Sequence, residues 1–159
     1  MKRITIVAVT FFLILNGVKA QQTDQGLMTN IDKQRQEIKS KMSTYRRVVR
    51  FRDSLSTKYY FYQGKELQMV TIWVKAGTVD KNIEWYFAAG KMIYSENNWK
   101  DRVTGKVTEN QHYYLKNEEV FVWIKTDGSR GDATSKEFLE AKEGLSKLAG
   151  KMREDATHF

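Results

Sequence analysis

Tyr59-Tyr60-Phe61-Tyr62-Gln63-Gly64-Lys65, Trp85-Tyr86-Phe87-Ala88-Ala89-Gly90-Lys91 and Tyr113-Tyr114-Leu115-Lys116-Asn117-Glu118-Glu119 are the stretches that decide how this chain folds. Each opens on two aromatic residues, passes an apolar position and a two-residue turn, and enters a second β-rich run. Those second runs are Leu67 to Val74, Met92-Ile93-Tyr94 and Val120 to Ile124. Aromatic and β-branched runs that flank a short turn read as a β-hairpin. Tyr60, Tyr86 and Tyr114 fall at matching places, 26 and 28 residues apart, so the hairpin reads as a repeat. Polar links over 77–82 and 97–110 separate the copies. The pattern predicts an antiparallel meander of about six strands.

Helical periodicity flanks the meander on both sides. Ile31, Ile38, Met42, Tyr45, Val48/Val49 and Leu55 recur at a spacing of three to four, which predicts one amphipathic helix over 30–55. Thr29-x-x-Asp32 resembles a capping box at its start, with Asp in place of Glu. Its other faces carry Lys33, Arg35, Lys39, Lys41, Arg46, Arg47, Arg50 and Arg52. A basic amphipathic helix can make weak contact with a membrane surface, but the sheet that follows offers it a packing partner. After a loop over 127–132, Thr134-x-x-Glu137 is a capping box, and Phe138, Ala141, Leu145, Leu148 and Met152 predict a second helix over 135–154. Helix, meander and helix make an α+β domain over 29–157, after a flexible segment at 21–28.

The Tyr-Tyr-Phe-x-x-Gly-Lys hairpins resemble those of secreted bacterial proteins and, more distantly, MORN-type hairpin repeats. MORN units are shorter and richer in glycine. No function follows from either resemblance.

The first twenty residues carry their own grammar. Lys2 and Arg3 precede an uncharged apolar run from Ile4 to Leu15, Asn16-Gly17 breaks it, and Val18-Lys19-Ala20 offers small residues where a signal peptidase reads. This is a secretory signal with cleavage expected after Ala20, too short in its apolar part for a spanning helix, which needs about 20 residues. Lys-Arg in place of twin Arg favours the general secretory route. The chain has no Cys, which excludes an acylated lipobox, disulfides, thiolate metal sites and cysteine nucleophiles. The expected product is secreted or periplasmic, with no lipid anchor. Loss of Lys2, Arg3 and Lys19 lowers the formal charge from +8 to +5. That balance, outside the cytoplasm, argues against nucleic acid and leaves a protein or an envelope component as the expected partner. There is no Pro, so turns must be built from Gly, Asn and Asp.

Turns at Gln63-Gly64, Ala89-Gly90 and Asn117-Glu118 would set Tyr60 opposite Leu67, Tyr86 opposite Ile93 and Tyr114 opposite Phe121 on one face. Phe87–Met92, Trp85–Tyr94, Leu115–Val120 and Tyr113–Val122 would pair on the other. Both faces then carry large side chains, although a half-solvated sheet should alternate. Two helices would cover one face well. Helices on both faces, a curled sheet or an exposed aromatic surface each accommodate the pattern. Tyr60, Tyr86 and Tyr114, with Trp123, are the candidate recognition row, because Tyr and Trp join an apolar body to a polar tip. The same residues also serve as cross-strand pairs that stabilise the sheet.

Catalytic signals are sparse. His112 and His158 are the only histidines, no metal-ligand cluster or His pair is present, and neither a phosphate loop nor a nucleophile elbow occurs. No cofactor is expected. Asp127-x-Ser129-x-Gly131-Asp132 departs from the EF-hand spacing, and Arg130-Gly131-Asp132 is too short to carry weight. The sequence therefore points to a non-catalytic binding module that uses an aromatic sheet face. An exported enzyme inhibitor, acting through the 127–132 loop or a hairpin tip, is one alternative. A hydrolase using carboxylates such as Glu84 and Glu119 is another.

Overall fold

Alternation of large side chains along nearly every strand shapes this domain. The computed structural model describes residues 23–52 and 54–157; the leader expected over 1–20 and His158 lie outside the described residues. Residues 23–40 form helix α1. Strands β1 (Arg46–Arg52), β2 (Ser56–Gln63), β3 (Glu66–Ala76), β4 (Val79–Ala88), β5 (Lys91–Asp101), β6 (Val107–Lys116) and β7 (Glu119–Ile124) follow, and helix α2 (Lys136–Thr157) closes the order. The seven strands form one antiparallel sheet in sequence order. The α+β class is as expected. No helix among the described residues is long and apolar enough to cross a membrane.

The single helix expected over 30–55 is two elements. Residues 23–28, expected to be loose, are its first turns, and Met28 is buried. Thr29 is therefore inside the helix rather than at its cap, and its hydroxyl donates to the Gln25 carbonyl at 2.9 Å. Further on, the hydroxyls of Ser40 and Thr44 donate to the carbonyls of Glu37 and Lys41. Such local bonds compete with helical ones, and the chain unwinds through a 3-10 turn at Met42–Thr44. Beyond Tyr45, the β-branched Val48-Val49 and the aromatic Phe51 favour extended backbone, and Arg46–Arg52 pairs with β2 as a seventh strand. The spacing of Ile38, Tyr45 and Val48/Val49 fits a helix by coincidence.

Each of the three repeated hairpins carries a bulge that resets its register. The first hairpin turns at Gly64-Lys65, one residue later than expected, while Ala89-Gly90 and Asn117-Glu118 are the other two turns, as read from the sequence. Phe87–Met92 and Leu115–Val120 pair as expected. The register then shifts between Phe61/Tyr62, Tyr86/Phe87 and Tyr114/Leu115, which leaves Gln68, Ile93 and Phe121 as the extra residues. Each is the third residue after its turn, so the repeat includes the bulge. Tyr60 consequently faces Val70, Tyr86 faces Tyr94, Trp85 faces Ser95, Tyr114 faces Val122 and Tyr113 faces Trp123.

One helix lies on each face. Tyr60, Tyr62, Leu67, Val70, Trp85, Phe87, Met92, Tyr113, Leu115 and Val120 form one core with Phe138, Ala149 and Met152 of α2. The alternate residues Phe61, Met69, Tyr86, Tyr94, Tyr114 and Val122 form a second core with Met28, Ile31 and Ile38 of α1. Full burial of a side chain such as Phe87 or Met92 contributes about 1.5–3 kcal/mol. At the start of α2, Ser135 rather than Thr134 caps the helix, its hydroxyl accepting from Phe138 N–H at 3.2 Å.

Candidate functional site

Period-two alternation carries the α1 face from apolar to polar within each strand. Outward from Met69, Tyr86, Tyr94 and Tyr114, the next cross-strand row is Thr71, Glu84, Glu96 and His112. Asp32, Arg35 and Lys39 meet this ground from α1, their spacing of three and four placing them on one stripe of the helix. Arg35 Nη1 donates to Glu96 Oε2 at 3.1 Å and to the Tyr94 hydroxyl at 2.9 Å. Lys39 Nζ donates to Glu84 Oε2 at 3.2 Å. Glu84 also accepts from the Tyr86 hydroxyl and from Asn82 Nδ2. Asp32 accepts from the Tyr114 hydroxyl at 3.1 Å.

Electrostatics follow from this packing. Burial works against the charge of Glu84, but the Tyr86 and Asn82 hydrogen bonds and the nearby Lys39 outweigh it and hold the carboxyl below its usual range. Burial works against the charge of Arg35 as well, but Tyr94, Glu96 and Asp32 together outweigh it and hold its pKa above the ordinary value. Burial pushes the Tyr86 and Tyr94 hydroxyls well above the phenolic value and lifts Tyr114 to about 12. Burial lowers the pKa of His112, whose Nδ1 lies 2.5 Å from the Tyr94 hydroxyl. That hydroxyl also accepts from Arg35, so Tyr94 links the guanidinium to the imidazole.

The row beyond is Trp73, Asn82, Asn98 and Asn110, paired across β3, β4, β5 and β6. Among the described residues it takes no hydrogen bond or ion pair from α1. Trp73 is 51% exposed. Asn82 accepts from Thr71 at 3.1 Å and donates to Glu84, whereas Asn110 Oδ1 is buried with no partner among the described residues.

The expected aromatic row does not form a single face. Tyr60 and Trp123 belong to the α2 side, Tyr86 and Tyr114 to the α1 side. Tyr60 is 1% exposed, Tyr86 0% and Tyr114 7%, so these hydroxyls serve internal partners. Tyr60 donates to Asp155 at 3.1 Å, and Trp123 stacks on Tyr113 with centroids 5.7 Å apart. The first-hairpin slip moves Tyr60 and the bulge at Phe121 moves Trp123, since one residue of register exchanges the faces.

The other sequence candidates scatter. Glu84 sits in mid-β4 under α1, whereas Glu119 opens β7 and pairs with Lys142 of α2 at 3.0 Å. The 127–132 loop folds back on β7: Gly131 N–H donates to the Trp123 carbonyl at 2.8 Å, and Ile124 bridges Arg130. A Cβ at Gly131 would collide with the Trp123 ring, so only glycine permits this approach. Asp127 and Asp132 accept from Ser129 and Thr134 as local turn bonds. Among the described residues no group of three or more His, Asp or Glu could hold a metal. From the sequence Asp32 is expected only as a cap and Arg35 and Lys39 only as part of a basic helix face, and the three asparagines are not among the candidates. Their signal is alternation of polar residues outward from each tyrosine, which becomes readable only with the bulged register.

No protein-family model, curated protein or solved structure matches this chain. Its class is defined by its architecture, a bulged hairpin meander between two helices, and its site by the α1-side polar rows.

Proposed function

We propose that the mature chain is an exported, non-catalytic binding module whose contact surface is the uncovered half of the α1-side sheet face. The observation that carries this reading is the row Trp73, Asn82, Asn98 and Asn110, which adjoins the polar layer under α1 but takes no hydrogen bond or ion pair from α1 among the described residues. Asn82 is engaged by Thr71 and Glu84, so Asn98 is the amide that offers both a donor and an acceptor and Asn110 adds an amide donor, while an exposed indole supplies an apolar platform with a polar edge. Neighbouring strands repeat at about 4.8 Å, comparable to the length of one sugar ring. A hydroxyl-rich envelope chain laid across the strands is the ligand this chemistry suits. Export rests on the leader grammar of residues 1–20.

Co-sedimentation of the mature protein with purified peptidoglycan and with envelope polysaccharide tests the reading. Trp73→Ala and the pair Asn98→Ala/Asn110→Ala should lower the retained fraction at unchanged thermal stability. Full retention by both variants would reject it.

A carboxylate hydrolase remains as a second reading, now with Glu84 and Glu96, which are direct cross-strand neighbours. A general acid needs a raised pKa, and Glu84 is shifted the opposite way, so binding is favoured. Glycan turnover that disappears in Glu96→Gln would reverse that preference.

A further inference from the structure

The two sheet edges are treated differently. Arg130 and Gly131 cover the outer side of β7. β1 pairs with β2 on its inner side, and among the described residues no strand lies on its outer side. Unpaired edge backbone is a template for a further strand.

β1 also carries guanidinium groups on both faces. Arg46 lies over the Tyr62 ring, 4.9 Å from its centroid, and Arg50 lies 6.0 Å from that of Tyr60. Both rings belong to the α2-side core. Arg47 lies 5.3 Å from the centroid of Tyr59, which packs on the α1-side core. Stacking fixes the planar group while its N–H edge stays available for carboxylates. Arg46 and Arg47 have no carboxylate partner among the described residues.

Charges on two faces do not suit a planar anionic surface, which meets one face only. They suit a strand, whose successive side chains alternate between faces. The same arginines, with the bulge at Arg50, repel a second copy of β1 and reject neutral or basic strands. An acidic segment is the strand they admit.

We propose that β1 is a docking edge for an acidic, extended segment of a partner protein, which adds to the sheet beside Arg46–Val49 with carboxylates meeting arginines on both faces. This surface is separate from the asparagine row and stands or falls independently of it.

Fluorescence anisotropy of the mature protein with labelled peptides tests the proposal, in about 50 mM salt so that surface charge is little screened. The probe is Thr-Glu-Glu-Val-Thr-Glu-Glu-Val, which places glutamates on both faces of a strand. The first comparison is an alternating Glu-Thr octapeptide, equal in charge but acidic on one face. The second is the probe N-methylated at alternate backbone nitrogens, and vesicles of anionic lipid are the third. The expected result is binding of the probe, with affinity falling about tenfold or more, equivalent to 1.4 kcal/mol, for either altered peptide. The same loss is expected in an Arg46→Glu/Arg47→Glu variant whose circular dichroism matches the parent. Absence of probe binding would overturn the proposal. Equal binding of the N-methylated peptide would show charge attraction without strand addition and would also overturn it. Arginine-dependent vesicle binding stronger than peptide binding would assign the edge to membranes instead.

Discussion

Glu84 and Glu96 stand directly opposite one another on β4 and β5, and each is held by a different cation from the same helix stripe. Lys39 sits 3.2 Å from Glu84, and Arg35 sits 3.1 Å from Glu96. Like charges opposed across strands destabilise a sheet, so α1 is required on this face for charge as well as for its apolar stripe. The two halves of the helix interface therefore depend on one another.

Arg35→Met should reveal that dependence. It keeps much of the apolar stem but leaves Glu96 without its guanidinium and Tyr94 without a donor. Breaking a fully buried pair costs about 3–5 kcal/mol. Arg35 is 24% exposed along its side chain, so a loss of about 2 kcal/mol is expected, read as a lower urea midpoint at constant slope. Glu96→Gln in the same background should restore part of the loss, because the opposed carboxylates are then reduced to one. If the double variant is as unstable as the sum of both singles, the pair is not coupled.

Stability should fall on both sides of neutrality, for reasons of opposite sign. His112 has a folded pKa below its ordinary 6.5. The folded state binds its proton less readily, so its contribution is complete above 6.5 and is lost as pH falls below that value. Glu84, lowered from 4.5, holds its contribution above 4.5 and loses it in more acidic solution. The tyrosines titrate on the other side. Tyr113 and Tyr114 rise from 10 to about 12, so their stabilisation is complete below pH 10 and is lost from there upward. Urea titrations across pH should show a plateau between roughly 6.5 and 10. In His112→Gln the decline should begin only near the carboxylate range; a decline that still starts at 6.5 would exclude His112 as its source.

The second hairpin turn is strained at an identifiable residue. Ala89 has φ 48° beside Gly90 at φ 73°, a pairing that suits Asn-Gly far better than Ala-Gly. Ala89→Asn should stabilise the domain by about 0.5–1 kcal/mol, measured by thermal or urea unfolding. Glu118 at φ 67° is a contrasting case. Its carboxylate accepts from Met92 N–H and pairs with Arg153 at 2.7 Å, so Glu118→Gly should relieve the backbone and yet give no gain. If Glu118→Gly stabilised as much as Ala89→Asn, those two contacts would be worth nothing.

Much of this architecture was legible in the sequence because turns and alternation are local. Ala89-Gly90 and Asn117-Glu118 announce their turns, Phe87–Met92 and Leu115–Val120 follow from counting, and Phe138 and Met152 mark the core stripe of α2. What stayed hidden depends on residues that spacing treats as ambiguous. Gly64 marks the first turn but not which neighbour completes it, and one residue of error carries Tyr60 to the opposite face. A bulge at Gln68, Ile93 or Phe121 leaves no compositional trace. Val48 and Val49 satisfy both a helical and an extended pattern, and pairing with β2 decides between them. The polar rows stayed hidden for the same reason, since Arg35 meets Glu96 only when α1 lies across a sheet whose register is already known.

Aromatic burial makes the tyrosines a poor probe of binding, and a pair of single substitutions serves better. Tyr60, Tyr86 and Tyr114 are buried. Loss of a large core ring costs about 3–5 kcal/mol, so a triple Tyr→Ser chain would exceed the stability of many domains, which is about 5–15 kcal/mol. It would report unfolding. Tyr86→Phe keeps the ring and removes one donor to Glu84, a loss of about 1–2 kcal/mol that should leave ligand retention unchanged. Trp73→Ala, at a half-exposed position, should change stability by no more than about 0.5 kcal/mol while reducing retention. Urea midpoints and co-sedimentation on the two variants separate core from surface. If Tyr86→Phe lowered retention while its folded fraction stayed complete, the ligand would reach the network beneath α1, and the uncovered row would not be the whole site.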